Sequence, residues 1–161
     1  MDDWPEEVER VARFLRDAGA EARVEEFATP TPTAQAAADA IGCDLRQIVK
    51  SLLFETDDGQ PVVALVPGDR RADSGKIAVA AGAAKVRIAS PERVREITGF
   101  EPGAVAPFPL TRVRRIFVEP ALMAHERVWV GAGSERHMAG LAPAELVRLT
   151  RGEARDLVRD D

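Results

Sequence analysis

The chain has 161 residues, 45% of them hydrophobic and 30% charged, which is typical of one globular domain with its own core rather than of a disordered chain. Its 22 basic and 27 acidic residues give a net charge of −5, which argues against a broad basic surface for duplex DNA but not against a local site for one end of a nucleic acid. Cys43, the single cysteine, and two distant histidines argue against disulfides and a zinc site, so we expect no metal and no cofactor. The acidic N-terminus resembles no signal peptide and no run is long enough to span a membrane, so we expect a cytoplasmic protein.

Helical spacing of apolar residues and capping residues predict five helices and a helical turn. Their expected positions are 5–18, 34–42, 74–82, 91–97 and 143–150, with the turn at 44–47. Apolar runs bounded by turn residues predict six strands, at 22–27, 48–55, 61–66, 85–88, 113–118 and 127–132. Because strands and helices mix without strict alternation, the pattern predicts one α/β (α+β) domain over 1–161, with a mixed sheet and flanking helices.

The strand 48–55 carries a lysine in an apolar setting. Side chains alternate along a strand, so Ile48, Lys50, Leu52 and Phe54 share one face. Lysine is rarely buried without a partner, and a stem lying along apolar surface with its ammonium in water is the ordinary explanation. The alternative is a lysine at the edge of a pocket, where partial desolvation strengthens its electrostatic effect.

The stretch 99–110 contains two glycines and three prolines, which predict a shaped loop rather than a regular element. Gly103 permits a backbone conformation that a Cβ would hinder, and the prolines on either side stiffen the loop. Such a loop can present backbone N–H groups to a carbonyl oxygen, although a plain rigid connector remains an alternative. Segments 67–76 and 131–136 match neither a P-loop nor a dinucleotide fingerprint, and no nucleophile elbow is present.

Several segments, taken in order, resemble the YbaK/prolyl-tRNA synthetase-associated domain family, which includes free-standing relatives of an editing domain found in some prolyl-tRNA synthetases. They are TPT-A-x-x-A-A, IVKSLLF, PGDRRAD-x-x-K, TGFEPGAVAPF and VGAGSERH followed by LAPAELVRLT, and they span about 27–150. The resemblance implies a barrel-like, curled mixed sheet with surrounding helices. It also implies trans-editing: hydrolysis of the ester that joins a wrong, small amino acid (Ala, Ser, Thr or Cys) to a tRNA.

The resemblance also implies site residues. The family's lysine falls on Lys50, and its glycine loop falls on 103–107, where this chain has Ala104 and Ala106 in place of the second glycine and the serine of many relatives. Lys50, Gly103 and Ala104 are the expected catalytic positions. The expected substrate-binding residues are Ile48, Leu52, Val105, Pro107, Ser134 and His137, although a surface histidine in a loop is an equally good explanation for His137.

The expected partner is the acceptor end of an aminoacyl-tRNA, with a synthetase as a further candidate and neither a membrane nor DNA. The phosphates of the tRNA acceptor end could contact a set of basic residues, although a solvated surface explains these residues as well. They are Arg70, Arg71, Lys76, Arg112 and Arg114, with Arg115 beside them. Two functions of other classes stay open: a non-catalytic aminoacyl-tRNA or synthetase-binding module, and a small acyl-ester hydrolase unrelated to tRNA.

Overall fold

The computed structural model describes residues 4–160, and its five α-helices lie close to the predicted positions, although α1 and α5 have no side-chain cap within these residues. Thr33 accepts a hydrogen bond from Ala36 N at 3.0 Å, and Asp73 accepts one from Lys76 N at 3.1 Å, so side chains satisfy otherwise unpaired N–H groups at two helix starts. The helices are α1 (Glu6–Asp17), α2 (Ala34–Ile41), α3 (Ser74–Ala81), α4 (Pro91–Thr98) and α5 (Pro143–Thr150), with short 3-10 helices at Leu45–Gln47 and Pro120–Ala124.

Eight strands form two sheets in the described part of the chain. They are β1 (Arg23–Glu26), β2 (Val49–Thr56), β3 (Pro61–Pro67), β4 (Val86–Ile88), β5 (Arg115–Val118), β6 (Val128–Ser134), β7 (His137–Leu141) and β8 (Glu153–Ala154). The first sheet is antiparallel in the order β1-β7-β6. The second has the order β4-β2-β3-β5-β8, antiparallel around β2 and parallel from β3 to β8. The mixed α/β class is confirmed, but the two sheets are not closed into a barrel.

Strand β2 lies between two cores, as its alternating side chains predict. Val49 and Leu53 pack into the main core with β6, α1 and the loop before β5. Phe54 and Leu52 pack on the opposite face, in a second core with Ile77 of α3 and Leu157. Lys50 belongs to this second face by alternation. The second half of β2 is therefore buried on both faces, whereas residues 50–52 are only partly buried.

Two strands differ from expectation. The segment 137–141 is strand β7, which pairs with both β1 and β6, and β8 at 153–154 pairs with β5. Their sequences, HMAGL and EA, lack the β-branched runs that identify strands, so long-range pairing decides their conformation. No helix among residues 4–160 is long and apolar enough to cross a membrane.

Candidate active site

A small cleft of about 230 Å³ lies along the first half of β2. Among the described residues, β4 pairs only with Phe54–Thr56, so the start of β2 extends past this edge strand and meets β6 through a bridge between Ile48 and Trp129. The cleft is smaller than sites for drug-sized ligands, which are about 300–1,000 Å³. Its lining comes from β2, the start of α2, the glycine loop and the β6–β7 hairpin: Thr31, Pro32, Thr33, Ala34, Ala37, Ile48, Val49, Lys50, Ser51, Leu52, Gly103, Val105, Gly131, Ser134, His137 and Met138.

The cleft therefore brings together seven of the nine residues expected at the catalytic and substrate-binding positions. These are Ile48, Lys50, Leu52, Gly103, Val105, Ser134 and His137. The other two lie outside it. Ala104 is buried and borders a neighbouring depression, and Pro107 is buried at the end of the loop.

Lys50 is half-buried, and its Nζ donates a hydrogen bond to the carbonyl oxygen of Arg70 at 2.6 Å. Burial lowers the pKa of the Lys50 ammonium, Asp69 raises it and Arg71 lowers it. The ammonium is thus partly desolvated and oriented by a backbone carbonyl, which strengthens its field at the cleft relative to that of a lysine in water.

The loop 102–107 owes its shape to glycines. Gly103 has a φ of +85°, in the left-handed region that favours glycine. A Cβ on Gly131 of β6 would lie 2.6 Å from the carbonyl oxygen of Val105, so the loop packs against a strand that must lack a side chain there. The N–H of Ala104 donates to Glu101 O at 2.9 Å within the turn, so it is not available as the oxyanion donor that the sequence predicts. The N–H groups of Gly103 and Val105 have no acceptor among residues 4–160.

His137 is the first residue of β7 and only 3% exposed, so it is not a surface histidine in a loop. Its Nδ1 lies 2.6 Å from Ser134 Oγ, and its Nε2 lies 3.5 Å from a carboxylate oxygen of Glu26. Burial lowers the pKa of His137, with Glu26 opposing and Arg136 assisting, so the ring is neutral at pH 7. The contact with Ser134 orients the ring at the cleft wall, whereas Nε2 is buried and has no hydrogen-bond partner within residues 4–160.

Two hydroxyl side chains at the cleft escaped the sequence analysis. The Oγ of Ser51 is buried without a hydrogen-bond partner in the described part of the chain, which is costly for a hydroxyl that meets no ligand. Thr31 donates through both N and Oγ1 to the carbonyl of Glu135, at 2.6 and 3.0 Å, and so ties the TPT segment to the β6–β7 turn. Strand alternation places Ser51 on the opposite face from Lys50, which could have drawn attention to it.

The basic residues expected to contact phosphates separate into two groups. Arg70 and Arg71 lie in the loop beside Lys50, and Arg70 donates to the carbonyl of Arg159 at 2.8 Å. Arg112 donates to Glu96 O at 2.8 Å. Arg114 precedes β5. The first residue of β5 is level, across β3, with Phe54 of β2, and Phe54 lies about 13 Å along β2 from Lys50.

Lys76 also lies outside the cleft lining, and its ammonium donates to three oxygens within the protein. An ammonium has three N–H donors, so none is left for a phosphate. Of the five basic positions, only Arg70 and Arg71 lie beside the cleft.

The cleft combines a half-buried lysine, a left-handed glycine loop with unused N–H groups and a small apolar wall. Such a site can bind a small polar group next to a positive charge. The model of the aminoacyl-tRNA editing domain family matches residues 28–149, and the chain belongs to this family.

Similar solved structures and similar proteins support this family membership. A crystal structure of a candidate trans-editing enzyme for prolyl tRNA synthetase is 34% identical and superposes with a TM-score of 0.91, covering 98% of this chain and 100% of the other. The uncharacterized protein YwhH of Bacillus subtilis (strain 168) is 35% identical over 76% of this chain and 78% of its own length. The proline–tRNA ligase of Maridesulfovibrio salexigens is 36% identical over 70% of this chain, which corresponds to only 19% of that ligase.

Proposed function

We propose that this protein is a free-standing aminoacyl-tRNA deacylase that hydrolyses the ester between a mischarged small amino acid and the 3′ end of a tRNA. The observation that carries the proposal is the meeting of Lys50 and the Gly103 loop in one small cleft. Family membership and the likeness to a candidate trans-editing enzyme support it. EbsC of Enterococcus faecalis, a candidate Cys-tRNA(Pro)/Cys-tRNA(Cys) deacylase, is 26% identical over 75% of this chain and 74% of its own length.

In the proposed reaction, water attacks the ester carbonyl and negative charge develops on its oxygen; the intermediate then collapses with cleavage of the bond to the ribose oxygen, which leaves as a hydroxyl carrying a proton from the water. The N–H groups of Gly103 and Val105 stabilise that oxygen, and loss of one such donor typically costs about 2.7–4 kcal/mol. The ammonium of Lys50 adds positive potential or holds the terminal ribose or phosphate. The free ribose hydroxyl of the tRNA helps to place the water, and the reaction needs no metal because these groups already offset the developing charge.

The size and lining of the cleft support a small amino acid. Ile48, Val105 and Met138 give it apolar walls, and Ala34 and Ala37 of α2 line it with single methyl groups. An apolar pocket distinguishes one methylene by only about 1–3 kcal/mol, so substrates such as Ala, Ser, Thr and Cys would overlap. Ser51 Oγ and His137 Nε2 are buried cleft atoms without a hydrogen-bond partner in the described part of the chain, so both are available to a polar substrate group.

A deacylation screen tests the proposal. tRNAs charged with Ala, Ser, Thr or Cys are incubated with the wild type and with Lys50→Ala, and free amino-acid esters serve as a parallel substrate. We expect hydrolysis of at least one charged tRNA by the wild type only, with much slower turnover of the free ester. Equal turnover of both substrates would favour a general ester hydrolase. Binding of charged tRNA without hydrolysis would favour a non-catalytic module, and an active Lys50→Ala would reject the mechanism.

A further inference from the structure

The segment 155–160 runs antiparallel along the loop 68–73. Ala72 and Val158 form an antiparallel bridge, Asp73 N donates to Leu157 O at 2.8 Å, and Arg159 N donates to Arg71 O at 2.9 Å. These contacts join residues more than 80 positions apart in the chain. Segment 155–160 therefore holds the second half of the loop, whereas the first half is closed by its own turn, in which Arg70 N donates to Pro67 O at 3.1 Å.

Apolar side chains anchor this segment beneath the loop. Leu157 is fully buried and Val158 is 4% exposed, and both pack into the second core with Ile77 and Phe54. This core covers the same face of β2 that carries Lys50. The segment, the loop and the lysine are thus parts of one packed unit.

Lys76 of α3 binds segment 155–160 through charged hydrogen bonds. Its Nζ donates to Asp156 Oδ2 at 2.9 Å, to Val158 O at 2.7 Å and to Asp160 Oδ1 at 2.8 Å. Hydrogen bonds to Asp160 and Asp156 hold the pKa of Lys76 well above its usual range, so it stays charged. Its side chain is 23% exposed, whereas those of Asp156 and Asp160 are 67% and 90% exposed. We call Lys76, Asp156, Val158 and Asp160 the Lys76 clamp.

The loop under the clamp sets the position of the lysine at the cleft. Its Arg70 carbonyl accepts the hydrogen bond from Lys50, and its Asp69 and Arg71 are the charges that act on Lys50. The carbonyl is fixed to the backbone of this loop, so a displacement of the loop moves the acceptor and both charges together. Water can then reach an ammonium that is now half-buried.

We propose that Lys76 is a positioning residue: the Lys76 clamp holds the segment 155–160 against the loop 68–73 and thereby fixes the ammonium of Lys50 at the cleft. The inference rests on the proposed function for its catalytic consequence but not for its structural one. It gives Lys76, whose sequence context predicts a phosphate contact, a different role.

The structural consequence can be measured without any substrate. The chain has three lysines, Lys50, Lys76 and Lys85, so selective ¹³C labelling of lysine Cε gives few NMR signals to assign. Lys76→Met opens the clamp, and Lys76→Arg keeps a cation for the two carboxylates. Lys85→Met is the matched control because Lys85 is exposed and its side chain makes no hydrogen bond or ion pair within residues 4–160. Since desolvation is the largest cause of the lowered pKa of Lys50, we expect that pKa to rise toward its ordinary value in Lys76→Met.

In Lys85→Met and Lys76→Arg the Lys50 signal should titrate as in the wild type. A Lys50 signal in Lys76→Met that keeps the wild-type shift and titration would overturn the proposal. If Lys76→Met fails to fold, the double variant Asp156→Asn/Asp160→Asn replaces it, because it weakens the clamp but leaves the contact of Lys76 with the Val158 carbonyl. An unchanged Lys50 signal in that variant would overturn the proposal equally.

Kinetics distinguish positioning from phosphate binding. Sub-ångström displacement of a catalytic group can cost an order of magnitude or more in rate, so we expect kcat of Lys76→Met to fall about tenfold with KM nearly unchanged. A phosphate contact would instead raise KM and reduce the slope of log affinity against log salt by about 0.7–0.9, which would contradict the proposal. If the wild type lacks deacylase activity, the proposed function fails, and the NMR result still decides whether the clamp positions Lys50.

Discussion

Replacing Lys50 by methionine should abolish most of the activity while leaving the fold intact. Methionine keeps an unbranched stem but removes the ammonium and its 2.6 Å hydrogen bond to Arg70 O. A hydrogen bond to a charged group is worth about 1.5–3 kcal/mol, but the desolvation that lowers the pKa of Lys50 offsets it, and the half-exposed site is screened by solvent. We therefore expect the free energy of unfolding to change by less than about 1 kcal/mol.

The catalytic loss should be larger. Removing one group that stabilises a developing oxyanion costs about 2.7–4 kcal/mol, which corresponds to a 10²–10³-fold lower rate. Single-turnover deacylation of a charged tRNA measures this rate, and thermal unfolding of the same sample checks the fold. The enzymatic rate, corrected for spontaneous ester hydrolysis, should fall as pH rises through the lowered pKa of Lys50, because only the ammonium is active. A Lys50→Met variant within about threefold of the wild-type rate would refute the electrostatic role, since a tenfold loss needs only about 1.4 kcal/mol.

Three further predictions concern stability and tRNA binding. Burial lowers the pKa of His137, so as pH falls the unfolded chain takes up a proton on this residue before the folded chain does. The free energy of unfolding should therefore fall as pH drops below about 6.5. In urea titrations His137→Gln should flatten this pH dependence, and an unchanged slope would speak against the buried neutral ring. Gly133 has a φ of +103°, and a Cβ there would lie 2.8 Å from the backbone of α1, so Gly133→Ala should cost about 2–4 kcal/mol. Gly103→Ala meets nothing closer than 3.7 Å and should cost only about 1–2 kcal/mol; chemical denaturation compares the two, and equal losses would disprove the clash. Arg71→Ala should reduce the slope of log tRNA affinity against log salt concentration by about 0.7–0.9, whereas Arg114→Ala, at the far end of the sheet, should not change it. An effect of Arg114→Ala but not of Arg71→Ala would show that the tRNA binds away from Lys50.

The candidate site was partly predictable because some of its geometry is local. Strand alternation places Lys50 on the face of Leu52 and Phe54, and only glycine suits a φ of +85° at position 103. The roles of Ala104 and Lys76 were not predictable. One donates its N–H within a turn, and the other gives all its donors to residues 80 or more positions away.

Local sequence signals were enough to predict the five helices, the Thr33 cap of α2 and the hairpin of β2 and β3, because capping and alternation act over a few neighbouring residues. The sequence also carried enough family motifs to predict an aminoacyl-tRNA editing domain, as the match over 28–149 confirms. The strand at 137–141, the burial of His137 and the pairing of segment 155–160 with the loop beside Lys50 could be known only from the fold. These features arise from pairing and packing between distant segments, whose free energy exceeds the weak local preferences of the residues involved.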